Sequence, residues 1–385
     1  MNPVFDHIFA MIVVGALFIT TVVITPQINA GNLKAVEQQQ LRNIALNLFN
    51  AMLLDAGYPV NWGSKVNGTY YFHPNVVERF GLASYIDPTL YVLDPDKIQR
   101  LNKDNPLGYL PYEYLKDILN LQGYGFSFRL IPPFNVTNVD GTKINETNTP
   151  LKYVNSTTLM YAIKVSHLDG SPIPNAFVDG FIFHSKGKDF RLGPISSTVT
   201  NASGICSQFI NLALASPDYV IVILRISVAD VAAILVTMGK DASVYVADIN
   251  VVGDTVVLTK AKNPSNENVW VVSAYVYTTD GKTISLYNGT QNDHFNTGES
   301  GKFALWSKTF DGLRELNPAI LIFDFSAVEK GRREIVVAGP FRNLLSYNVF
   351  GYGDEIPVGG GAVKLQRNVI IENMIYTAEL WLWKK

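Results

Sequence analysis

Tyr219–Met238 reads YVIVILRISVADVAAILVTM, and its interpretation decides what kind of chain this is. The run is apolar enough to suggest a membrane span. Arg225 and Asp230 lie inside it, however, and each would cost about 2.5 to 3.5 kcal/mol at a bilayer centre. Tyr219–Met238 is therefore expected to be buried strand, with Tyr219–Val228 as a short β run within it. The neighbouring runs agree, with Leu159–Val165, Ala176–Phe183 and Ile205–Ile210 before it and Ser243–Asn250 and Thr255–Leu258 after it. Short apolar runs at this spacing, separated by turn residues, predict a β-sandwich over 151–260.

The β character continues beyond this region, in Trp270–Tyr277, Ala319–Phe325, Glu334–Ala338 and a closing strand Val369–Trp383. In the last of these, Tyr376, Ala378, Leu380 and Leu382 alternate with Thr377, Glu379, Trp381 and Trp383, the period of a half-buried strand. Towards the N-terminus, Leu41, Ile44, Ala45, Leu48 and Met52 recur at helical spacing, and Gly57 and Pro59 follow as stop signals. Pro111 opens a short helix ending near Leu121. Phe126, Phe128 and Leu130 then alternate into a strand ended by Pro132-Pro133. Residues 134–150, FNVTNVDGTKINETNTP, read as a polar linker or exposed loop.

Ile8–Ile24, IFAMIVVGALFITTVVI, is different: no Asp, Glu, Lys or Arg occurs between Asp6 and Lys34. His7–Thr25 is long enough to cross the hydrocarbon core as a helix. A cleaved secretory signal is the competing reading, with Asn29-Ala30-Gly31 as a cleavage site, although its n-region MNPVFDH has no basic residue. Lys34 and Arg42, on the C-terminal side, would by charge counting hold the bulk of the chain in the cytoplasm. Long domains follow that rule weakly, so the expected topology is a single-pass cell-membrane protein with an extracellular ectodomain. The expected fold class is an N-terminal transmembrane α-helix plus a mainly β ectodomain. Its parts are an anchor (1–30), an α+β membrane-proximal region (31–150), an Ig-like sandwich (151–260) and a C-terminal β domain (261–385), for which sharing a sheet with 105–133 is an open alternative.

Composition excludes several functions. The 31 Lys+Arg are scattered and net charge is −2, so the basic footprint that nucleic acid requires is absent. Cys206 stands alone, which precludes an internal disulfide and suits a buried structural thiol. His7, His73, His167, His184 and His294 form no metal-ligand spacing and suit surface or packing roles. Gly298-Glu-Ser-Gly301-Lys302-Phe303 lacks the spacing and the hydroxyl residue of a phosphate loop. Asp94, Asp96, Asp104 and Asp140 fall in loops without an EF-hand register and read more simply as solvated turns than as a weak Ca²⁺ site. Gly359-Gly-Gly361 reads as a flexible turn. No catalytic, cofactor-binding or metal-ligating residue is therefore expected, and the chain does not read as an enzyme.

Residues 41–63 (LRNIALNLFNAMLLDAGYPVNWG), 80–101 (FGLASYIDPTLYVLDPDKIQRL) and 110–133 (LPYEYLKDILNLQGYGFSFRLIPP) resemble archaeal envelope proteins with a pilin-like N-terminal helix and a β-rich ectodomain. The resemblance implies placement in the envelope rather than chemistry. Asp169-Gly170-Ser-Pro-Ile-Pro174-Asn-Ala-Phe-Val178 and Thr200-Asn-Ala-Ser-Gly204-Ile-Cys-Ser-Gln-Phe209 resemble bacterial Ig-like domains of invasin-type surface proteins, which implies a sandwich fold and no particular ligand. Asn67, Asn135, Asn145, Asn155, Asn201 and Asn288 begin glycosylation sequons in predicted turns. The expected function is a structural or adhesive envelope protein, with the membrane and other envelope proteins or further copies as partners. A pilin-like filament subunit and a secreted hydrolase or substrate-binding module are the alternatives.

Overall fold

The computed structural model describes residues 14, 35–68, 70–144, 148–239, 247–261, 269–289, 295–297, 303–316, 318–327, 332–341, 344–345, 349–358 and 361–385. The expected span His7–Thr25 lies almost entirely outside them, and no helix among the described residues is long and apolar enough to cross a membrane.

Residues 35–54 form helix α1. Leu41, Ala45, Leu48, Phe49, Met52 and Leu53 are buried along one stripe, as the apolar spacing requires. The chain then turns through Gly57, in the left-handed region at φ +76°, where a Cβ would lie 2.5 Å from the Arg79 carbonyl oxygen. Trp62 is fully buried and its Nε1 donates to the Gly81 carbonyl at 2.9 Å. Helix α2 (Pro95–Gln99) has Asp94 as its N-cap, with Oδ1 accepting from the Asp96 amide, and Pro95 at its first position. Helix α3 (Tyr112–Ile118) follows Pro111, as anticipated.

These helices lie against a four-stranded antiparallel sheet in the order 350–353, 124–131, 374–384, 363–371. The strand Tyr124–Ile131 pairs with the last strand from Tyr124↔Lys384 to Ile131↔Thr377. The expected single strand Val369–Trp383 is instead part of a hairpin, Val363–Ile371 and Met374–Lys384. It reverses at Glu372-Asn373, whose φ values of 51° and 59° are those of a tight turn matched to strand twist. Tyr376, Ala378, Leu380 and Leu382 face the core, as their alternation indicated.

Two sheets form a first sandwich. One joins Asn135–Asn138, Leu151–Tyr153, Thr158–Ser166 and Ile205–Asn211; the other runs in the order 189–199, 177–186, 219–228, 231–239. Their shared core includes Leu159, Ile163, Val178, Ile182, Val222 and Leu224. Tyr219–Val228 is the expected strand, and the rest of the apolar run returns beside it as a second strand, Val231–Gly239. Ala229 and Asp230 form the turn between them, with φ 45° and 68°. Asp230 caps a turn at the protein's edge, while Arg225 is half-buried and paired to Asp179 through Nε at 2.9 Å and Nη2 at 2.5 Å. Residues 134–150 also depart from the linker expectation. Phe134 and Ile144 are buried, and Asn135–Asn138 pairs with Thr158–Ser166.

A second sandwich pairs Asp248–Val252, Thr255–Ala261, Phe303–Thr309 and Asn296–Thr297 with Thr283–Asn288, Val269–Thr278, Pro318–Ala327 and Arg332–Ala338. Among the described residues the first sandwich runs from Asn135 to Gly239 and the second from Asp248 to Ala338, so the sheets do not change over at 150 or 260. Residues 374–384 pair with 124–131 and residues 363–371 with 374–384, the sheet sharing with 105–133 that the sequence left open.

The two sandwiches meet through sheet faces. Val220, Val222 and Leu224 point into the first core, while Tyr219, Ile221 and Ile223 join Tyr277, Ile320, Ile322, Ile335 and Val337 in another. Phe181 and Tyr277 rings lie 5.9 Å apart, and Phe183 and Tyr275 6.2 Å. Sheets are thus stacked in four layers with the two central ones buried on both faces, which is why their strands read as unbroken apolar runs.

Candidate functional site

The greatest concentration of chemically capable side chains is Asp94-Pro95-Asp96-Lys97-Ile98-Gln99-Arg100, on and around α2, where this segment meets the second sandwich. Asp96, Lys97 and Arg100 have no exposed surface and Asp94 is 6% exposed. Asp94 and Asp96 are therefore not solvated turn residues, whereas Asp104 and Asp140 are exposed. The sequence placed this stretch in a loop, and the short helix Pro95–Gln99 was not expected. It gave no sign that the charged positions would be enclosed, because the covering surface comes from residues 251–314.

Each charge has its own partners. Asp96 Oδ2 accepts from Arg314 Nη2 at 2.5 Å and from the Gly253 amide at 3.1 Å. Gln99 Nε2 donates to the Val251 carbonyl. Lys97 Nζ donates to the carbonyls of Ala56 and Ala83 at 2.8 and 2.7 Å and lies 3.7 Å from Asp94 Oδ2. Arg100 Nε donates to the Gly63 carbonyl at 2.9 Å and Nη1 to that of Gly108 at 3.2 Å, while its guanidinium covers the Phe72 ring at 5.1 Å. Gly63 is required here, since a Cβ would stand 2.5 Å from the Lys97 amide nitrogen.

Burial, reinforced by the neighbouring Asp96, raises the Asp94 carboxyl to about 6. Burial also lowers the Lys97 ammonium and brings Arg100 down to about 10. In Arg314 burial acts downward but is outweighed by Asp96 and the Tyr85 hydroxyl, so its net shift is upward. Lys97 and Arg100 bond backbone carbonyls of their own unit rather than aim into open space. Asp96 and Gln99 instead reach Arg314, Gly253 and Val251, and so latch this unit to the second sandwich.

A cleft of about 130 Å³ opens beside this network, lined by Ser84, Asp87, Asp94, Arg314, Glu315 and Glu372. A larger groove of about 740 Å³ runs between Asp104, Tyr109, Tyr112 and Glu113 on one side and Phe350–Gly353 on the other. Among the described residues no group of three His, Cys, Asp or Glu is placed to hold a metal ion.

Of the sequon residues, Asn67, Asn155, Asn201 and Asn288 are exposed. Asn67, Asn155 and Asn201 use Oδ1 to accept backbone amides at 2.9 Å, from Tyr71, Thr157 and Ser203. Asn135 is half-buried on its strand, with Nδ2 3.4 Å from the His167 carbonyl, and Asn145 lies outside the described residues. The described sequon residues lie on separate elements rather than gathered at one site. His184 is 3% exposed inside the first sandwich, and His7 and His294 lie outside the described residues. Most of Gly298–Phe303 and Gly359–Gly361 also lies outside them. Cys206 is buried, 3.8 Å from the Tyr161 hydroxyl, and burial raises its thiol.

No protein-family profile and no curated protein matches the chain. Among solved structures, trypsin-activated alpha-2-macroglobulin from Escherichia coli aligns at 10% identity over 63% of this chain and 18% of its own, with a TM-score of 0.22. Salmonella alpha-2-macroglobulin reacted with methylamine aligns at 11% identity over 56% of this chain and 15% of its own, with a TM-score of 0.16. The chain thus spans less than a fifth of either, and similarity at this level does not define a shared fold.

Proposed function

We propose that the chain is a single-pass, membrane-anchored extracellular protein with a structural or adhesive role in a cell envelope, presenting two stacked β-sandwiches as one stiff body. The observation that carries this reading is the combination of the charge-free Ile8–Ile24 segment with a β body whose central sheets are buried on both faces. Such packing leaves little freedom between the sandwiches, and the Asp96–Arg314 latch fixes the helical unit to the second of them. The first sandwich is the part proposed to be Ig-like, with partners meeting its outer surfaces. The exposed Asn67, Asn155, Asn201 and Asn288 are the proposed glycan acceptors.

Topology is the decisive test. Protease added to intact cells should remove the ectodomain, cutting first in the exposed turn around Asp140-Gly141. The protein should stay in the membrane fraction through carbonate washing and require detergent for release. Protection of the whole body until the cells are lysed would overturn the extracellular placement.

A further inference from the structure

We infer that one end of the four-stranded terminal sheet is a bilayer-contact face, with Val358 as its apolar tip; this rests on the membrane anchor proposed above. Val358, in the loop after the strand Phe350–Gly353, has a relative exposure of 105%, the highest of any large apolar side chain described. That loop lies at the sheet end where the last strand finishes, since Asp354 Oδ2 is 2.6 Å from Lys385 Nζ. The first turn of α1 reaches the same end, where Glu37 Oε1 is 3.9 Å from Lys384 Nζ and Val36 is 53% exposed. Tyr124, opposite Lys384 in the sheet, contributes a half-buried aromatic ring.

What faces this patch follows from the chain that leads to it. Nine residues lie between Thr25 and Ala35, ten steps that span no more than about 36 Å at full extension, so an embedded Ile8–Ile24 tethers this end of the body within that distance of the bilayer. The opposite end of the sheet is occupied: its turn Glu372-Asn373 lines the cleft with Arg314, below the sandwiches. Apolar side chains at a membrane-facing tip settle about 5 to 10 Å into the headgroup–acyl boundary, and a Tyr beside long Lys stems suits the interfacial layer above. Lys384 and Lys385 already pair with Glu37 and Asp354, so the face carries little net positive charge and does not depend on anionic lipid.

The test uses the full chain with Cys206→Ser, carrying a single polarity-sensitive fluorophore at Val358→Cys, reconstituted into vesicles of phosphatidylcholine alone or with phosphatidylglycerol. Leu168→Cys, on an exposed turn of the first sandwich, is the reference position. The expected result is co-flotation with both vesicle types, blue-shifted emission at position 358, and quenching there by lipids spin-labelled near the headgroup, with neither effect at position 168. Co-flotation with position 358 unquenched would overturn the contact face while leaving the anchor standing. Quenching only in the phosphatidylglycerol vesicles would overturn the charge-independent contact described here. Failure to co-float with either vesicle would overturn the anchor itself.

Discussion

Arg314 Nη2 lies 2.5 Å from Asp96 Oδ2, joining side chains 218 residues apart in the chain. The carboxylate is almost wholly enclosed and the guanidinium side chain is 17% exposed. Removing one partner of such a pair leaves an uncompensated buried charge, at a cost of about 3 to 5 kcal/mol. Arg314→Ala should therefore lower the urea midpoint sharply. Arg314→Met combined with Asp96→Asn should recover part of the loss, because no full charge is then stranded. If the two substitutions are simply additive, the latch is not an energetic unit.

Asp324 sets a pH dependence. Burial raises its carboxyl to about 6, against the lowering effects of Arg333 and Ser273. The folded state therefore holds its proton more tightly than the unfolded chain does. The stabilisation is complete below the ordinary carboxylate value of 3.8 and is lost as pH rises through about 6. A displacement of that size corresponds to something on the order of 3 kcal/mol. Thermal unfolding between pH 4 and 7 should show this slope reduced in Asp324→Asn, and an unchanged slope would assign it to another group.

His184 acts in the opposite direction. Burial, with the nearby Arg191, lowers its imidazole, and among the described residues neither ring nitrogen has a hydrogen-bond partner. The folded state excludes a proton that the unfolded chain accepts, so stability is lost as pH falls through the ordinary histidine range. His184→Phe should remove this acid-side loss, measured as the change in midpoint between pH 7 and 5. A variant that loses as much as the parent would rule His184 out.

Gly204 sits at φ +72°, and a Cβ there would stand 2.3 Å from the Val165 carbonyl oxygen. Gly204→Val in the full chain should cost at least about 1 to 3 kcal/mol through backbone strain alone. Gly170→Ala should be milder: φ is +89° there, but nothing stands within 4 Å of a new Cβ. Equal losses at the two positions would show that the clash contributes nothing.

A fragment containing only residues 134–239 should not behave as a stable monomer, contrary to what the spacing of its strands suggests. It would expose Phe183, Tyr219, Ile221 and Ile223, which the second sandwich covers in the whole chain. Dye binding to exposed apolar surface and oligomers in gel filtration are the expected observations. A monodisperse, cooperatively unfolding fragment would show that the stacked faces are dispensable.

Local pattern alone placed much of this chain. Leu41, Ala45, Leu48 and Met52 specify a helix, and Phe126 to Leu130 and Tyr376 to Leu382 specify strands, because each signal lies within one turn or a few strand positions. Arg225 and Asp230 were sufficient to reject a membrane span, since water or a paired carboxylate is the only inexpensive environment for either. The run Tyr219–Val228 was legible but its return strand Val231–Gly239 was not, because Ala229 is an ordinary residue that a left-handed turn accepted under sheet twist. Sheet sharing between the C-terminal region and 105–133 was legible only as an open alternative, while its register, 124–131 against 374–384, was not, nor was the enclosure of Asp96, Lys97 and Arg100. Register between segments 250 residues apart depends on which apolar faces remain uncovered, and a buried charge depends on a partner such as Arg314 arriving from elsewhere. Residue chemistry thus determined the elements and their faces, while the covering of one face by another, which only the folded chain supplies, decided the sheets, the layers and the latch.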